Sequence, residues 1–83
     1  MKFSLGDKVY VLAQMDGNPF ISPYPLKIVA YTCRGNDISY HCKCIFYNYT
    51  GDAFWQETVM KERDVSKTRE VLEERVVKMK KAR

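Results

Sequence analysis

Apolar and polar side chains alternate through the middle of the chain. Ile38, Tyr40, Cys42, Cys44 and Phe46 take every second position, with Ser39, His41, Lys43 and Ile45 between them. Successive side chains of a strand point to opposite faces, so this period predicts a half-buried strand over residues 38–47 with the first set inward. Residues 8–14 and 24–33 are rich in β-branched and aromatic side chains and predict two earlier strands. Gly6-Asp7 turns the chain into the first, and Arg34-Gly35-Asn36-Asp37 separates the second from the third. Pro25 has no N–H to give a ladder, which places it at the start or on the edge of its strand. Residues 15–23 carry Asp16-Gly17, Asn18-Pro19 and Pro23, a composition that predicts a loop. After a turn at residues 48–52, residues 53–60 predict a fourth strand, with Phe54 or Trp55 inward by parity. The connections are too short for parallel crossovers, so the strands form an antiparallel meander.

The period then changes. Thr68, Leu72, Val76 and Met79 recur at helical spacing, and Val71 widens the stripe. Ser66 is the predicted N-cap, although Arg69 stands where a capping box needs an acid. Glu70, Glu73 and Glu74 lie toward the helix start and the cations toward its end, as the helix dipole favours, and Glu74 pairs with Lys78 at i,i+4. An isolated helix this short is marginal in water, so its apolar stripe lies on the sheet or on a partner. The expected organisation is one domain, a β unit over residues 1–65 with an amphipathic helix over residues 66–83 packed on it.

The opening Phe3-x-x-Gly6-Asp7-Lys8-Val9-Tyr10-Val11, and Lys61-Glu62-Arg63-Asp64-Val65 entering a helix at Ser66-Lys67-Thr68, resemble the small SH3-like or Tudor-like β-barrel proteins of bacteria and their phages. The resemblance implies a mainly β (α+β) fold, an SH3-like antiparallel barrel of four to five strands with one C-terminal helix. It also implies that the chain is a phage or mobile-element accessory protein, since some phage-encoded members act by binding a host protein. No site residue carries over with it, and the long proline-rich segment at residues 15–23 departs from the pattern.

Composition narrows the classes. At 83 residues the chain holds one domain. No apolar run reaches the roughly 18 residues that cross a bilayer, and no signal-like apolar stretch follows Met1, so a cytoplasmic protein without a membrane partner is expected. Three cysteines, Cys33, Cys42 and Cys44, are an odd number and argue against a disulfide framework. With His41 they are zinc-type donors, but Cys42-x-Cys44 is not knuckle spacing, and on a strand His41 points away from both cysteines. They read as core residues, and no metal or cofactor is expected. A single histidine, with no phosphate loop and no nucleophile–base pair, points away from an enzyme.

Binding is left. The net charge is +4, yet five cations and five anions balance over residues 1–60, and the excess falls in Arg75, Lys78, Lys80, Lys81 and Arg83. A chain this small cannot bury all 11 of its aromatics. Phe20, Tyr24, Tyr47, Tyr49 and Trp55 flank the two loops and are the predicted protein-binding residues, since interfaces favour large rigid rings. Val77, off the main stripe, offers a second surface, and homodimerisation is the simplest version. The alternative is nucleic-acid binding through the basic helix end and exposed rings, set against a deficit of positive charge among those rings.

Overall fold

A computed structural model describes residues 2–45 and 56–81. Five strands pair in the order β2-β1-β3-β4-β5: β1 is Lys8–Met15, β2 Asn18–Ile21, β3 Leu26–Arg34, β4 Asp37–Cys44 and β5 Glu57–Lys61. A one-turn 3₁₀ helix at Glu62–Asp64 leads into the short β6, Val65–Ser66, which pairs with the middle of β1, and α1 follows at Arg69–Lys81. All pairings are antiparallel. The fold is therefore a small, mainly antiparallel β domain with one C-terminal helix. Among the described residues no ladder joins β5 to β6 or β2, so the sheet is not closed into a barrel.

The segment at residues 15–23 is not a loop. Asp16 (φ 52°) and Gly17 (φ 79°) form a two-residue turn with both angles positive, the geometry that matches strand twist, and Asp-Gly is a sequence that accepts it. Asn18–Ile21 then returns along β1, with Ala13 opposite Phe20 and Gln14 opposite Pro19. Pro19 follows the pair that closes the hairpin, where a residue's N–H points away from the partner strand, so its missing donor weakens no ladder bond. The sheet is consequently not a simple meander. After β2 the chain passes to the other side of β1 before β3, β4 and β5 run in sequence.

The β3–β4 connection is Gly35-Asn36, with Gly35 at φ 58° and Arg34 opposite Asp37. Positive φ at the first central position suits glycine, and space is not the constraint, since nothing lies within 4 Å of a Cβ built there.

The predicted alternation of residues 38–44 appears as a burial pattern: Tyr40 and Cys42 are fully buried, Ile38 and Cys44 partly so. They pack with Phe3, Val9, Val11, Ala13, Leu26, Ile28 and Val65 in one cluster. The Phe3 ring meets Tyr40 edge-on, with centroids 5.4 Å apart. Each large side chain sealed from water here contributes about 1.5–3 kcal/mol. β1 buries its second face as well. Leu12 points away from the cluster and is covered where α1 packs on β1, β2 and β6, with Leu72 the buried residue of the helix.

Three details of the helix differ from expectation. It begins at Arg69, and the Ser66 hydroxyl accepts the Thr68 N–H (3.2 Å) from within β6, as a turn into the helix. Val71 is exposed instead of widening the buried stripe, because β2 and β6 reach only the Leu72 side. The i,i+4 ion pair is Arg69–Glu73 (3.6 Å), not Glu74–Lys78.

Candidate functional site

Phe20, Tyr24 and Tyr31 are 48 %, 46 % and 47 % exposed, while the core closes without them. Phe20 sits on the outer strand β2. Pro19, Phe20 and Ile21 form one wall of a shallow groove, and Arg69, Glu73 and Val76 of α1 form the other. The other predicted protein-binding residues, Tyr47, Tyr49 and Trp55, lie outside the described residues, as do Phe46 and Phe54. Of the predicted protein-binding residues Phe20 and Tyr24 are therefore described and exposed, and Tyr31, not among them, is exposed as well. Tyr31 stands opposite buried Tyr40 but beyond the reach of the core. Tyr10 is no free ring. It is partly buried, with the Arg69 guanidinium 5.8 Å from its centroid.

The basic helix end is less available than its charge suggests. The Arg75 guanidinium pairs with Asp64 (3.1 Å) and donates to the Arg63 carbonyl, tying α1 to the 3₁₀ turn. Arg69 donates to the Ser22 carbonyl (3.3 Å) and pairs with Glu73, and Lys67 pairs with Asp7 (3.6 Å). Ser22, fully buried, also accepts the Val11 N–H at its hydroxyl (3.1 Å), so one small residue joins β1 to the helix. Lys78, Lys80 and Lys81 remain exposed. At roughly 100° per residue, Lys80 points away from the other two, so they make no single patch. Arg83 lies outside the described residues.

The cysteines and His41 do not converge. Cys42 is in the core, where burial pushes its thiol up to about 11, far from a reactive thiolate. His41, on the opposite face of β4, bonds Glu57 across the β4–β5 ladder. Cys33 is exposed near the hairpin end, with its thiol 3.5 Å from the Gly35 carbonyl, contrary to a core reading for all three cysteines. Among the described residues no group of three or more His, Cys, Asp or Glu is placed to hold a metal ion, and no helix is long and apolar enough to cross a membrane.

The Tyr40 hydroxyl donates to Glu62 (2.5 Å) and accepts the Phe3 N–H (3.3 Å), and Glu62 also accepts the Lys2 N–H (3.1 Å). Burial and the neighbouring carboxylate raise the tyrosine pKa, and the tyrosine hydroxyl holds the Glu62 carboxyl below its ordinary range. This clasp fastens the N-terminal segment over the core.

One cluster escaped the sequence reading. Lys8 stands opposite Lys27 on β1 and β3, and Lys27 opposite Lys43 on β3 and β4. The three lysines therefore share the outer sheet face, side by side over roughly 10 Å at ordinary strand spacing. Together with Gly6, Val29, Cys44 and Ile45 they line a shallow concavity of about 560 Å³. Among the described residues none of the three has an ion-pair partner. Charge summed along the chain conceals such a row. Its sequence signal is a lysine in each strand at an outward position, which becomes a row only when register is known.

Comparison with protein-family models, with curated proteins and with solved structures finds no match for this chain.

Proposed function

We propose that this protein is a small SH3-like binding module without catalytic chemistry, which recognises another protein. The accessory role in a phage or mobile element that the sequence resemblance implies belongs to the same reading. The strand order supports it: a β3–β4–β5 meander returns through a 3₁₀ turn and β6 to β1. The observation that carries it is the half-exposed Phe20 on the outer strand β2, a rigid apolar ring left over after the core is complete, beside the groove that β2 lines with α1. Pro19 deprives that edge of a donor, so recognition here rests on side chains and not on strand addition.

Affinity capture from host lysate, with and without nuclease, tests the reading. A captured protein that survives nuclease and is lost with Phe20→Asp is the expected result. Capture abolished by nuclease favours nucleic acid, and no capture together with a strictly monomeric mass by light scattering overturns protein recognition. The nucleic-acid reading through Arg75, Lys78, Lys80, Lys81 and Arg83 is the weaker one, because Arg75 is engaged inside the fold and the described lysines of that helix diverge.

A further inference from the structure

We propose that Lys8, Lys27 and Lys43 form a recognition face for an acidic segment of a protein partner, one in which carboxylates alternate with apolar side chains. The inference rests on the protein-binding reading above and adds where the partner's charge is received.

The row is costly to the fold. Like charges directly opposite each other on adjacent strands repel, and here two such pairs occur in succession. Neighbouring carboxylates do not relieve them. Glu57, opposite Lys43, is engaged by His41 on the next strand, and Asp7, beside Lys8, by Lys67. All three lysines are exposed, so none is needed to fill the core. An external anion laid across the row converts the mutual repulsion into attraction.

The lining of that concavity says which anion. It includes Val29, at the register shift of β3 where the strand is irregular, and Ile45. A chain bearing only charge leaves those apolar side chains wet, whereas an apolar side chain between two carboxylates covers them while its neighbours reach the lysines. A single-stranded nucleic acid needs rings on which bases stack. Among the described strand residues no ring stands open on this face: Tyr31 shares the side of Tyr40, Phe20 the side of Ala13, and Tyr10, on the side of Lys8, is partly buried with the Arg69 guanidinium over it. The charge and the apolar lining together fit an acidic, apolar-spaced peptide.

Fluorescence anisotropy on the full chain decides it, with three labelled probes: a peptide alternating Glu and Leu, one alternating Glu and Ser, and an oligothymidylate of equal charge. At low salt the Glu/Leu peptide binds most tightly. Lys27→Glu weakens it by about tenfold, while Lys80→Glu, a charge reversal elsewhere, changes it by less than about twofold. Lys27→Glu keeps a cooperative melt at or above the parental Tm, so its loss of binding is not a loss of fold. Oligothymidylate bound more tightly than either peptide, and weakened by Lys27→Glu, overturns the peptide in favour of nucleic acid. Peptide binding that ignores Lys27→Glu, or no binding at all, overturns the site. Capture of a partner from lysate that persists in Lys27→Glu overturns this inference alone and leaves the protein-binding reading standing. Absence of any captured partner, together with a strictly monomeric mass, overturns that reading, whatever the probes do.

Discussion

Two regions of this molecule carry cations, and they use them differently. At the start and middle of α1, and just before it, arginines and a lysine face carboxylates and carbonyls of the same chain: Arg75 meets Asp64, Arg69 meets Glu73 and Ser22, and Lys67 meets Asp7. These charges hold the helix to the strands. On the outer sheet face Lys8, Lys27 and Lys43 stand side by side, and the carboxylate opposite Lys43, Glu57, is engaged by His41. Where the formal excess falls, Arg75 is held inside the fold and the exposed Lys78, Lys80 and Lys81 diverge, whereas the region whose charges sum to zero holds a concentrated row. What a partner senses is the local field, set by which side chains register brings together.

A calibration comes from the clasp that neither region touches. Tyr40→Phe keeps the buried ring but leaves the Phe3 N–H without an acceptor, and is expected to cost about 1–3 kcal/mol in urea denaturation. The same clasp gives stability a pH window. Glu62 titrates lower when folded, so its contribution is full above its ordinary value of 4.5 and is lost as pH falls through its folded value. Tyr40 titrates higher when folded, so stability declines as pH rises past 10.0, where the unfolded tyrosine ionises first. Denaturation midpoints across pH should show both limbs. Glu62→Gln should flatten the acid one, and an unchanged acid limb in that variant would remove the clasp from the explanation.

Arg75→Ala tests the helix cations. It removes an ion pair and a carbonyl bond at a partly shielded contact, and should destabilise by about 1 kcal/mol. A neutral outcome would mean that the helix charges are as idle in the fold as those of the sheet row. Lys27→Glu has the opposite sign. By replacing two repulsive cross-strand pairs with attractive ones it should stabilise by roughly 0.5–1 kcal/mol, most at low salt. A destabilised Lys27→Glu would show that the row supports the fold and would erase the contrast. The smallest effect belongs to Lys80→Glu, which should stay within about 0.5 kcal/mol of the parent.

Sequence pattern reached some elements and not others for identifiable reasons. The third strand was legible because Tyr40 and Cys42 recur at period two beside outward His41 and Lys43, and burial follows that parity. The helix was legible from Leu72, Val76 and Met79, but not its first residue, because Ser66 makes its cap-like bond while still in β6. β2 was hidden behind Pro19 and Pro23. Those residues look like loop formers until Asp16-Gly17 is taken as a hairpin turn, which leaves Pro19 facing outward. Phe20 and Tyr24 were legible as rings beside the residue 15–23 segment, and both are exposed. The part that α1 plays beside Phe20 was not, because Arg69, Glu73 and Val76 are about 50 residues away along the chain.

By itself the sequence determined the local order: which segments are extended, which one is helical, where the chain turns, and which face of a strand is oily. Those properties depend on neighbours within a few positions, through the pleat, the helical repeat and the φ preferences of glycine, aspartate and proline. Only the tertiary structure decided which charges are neutralised and which stand together. Pairing register sets the distance between residues remote in sequence, and Coulomb energy depends on distance in space, not separation along the chain. Lys8, Lys27 and Lys43 are 19 and 16 positions apart in the sequence and adjacent on the sheet.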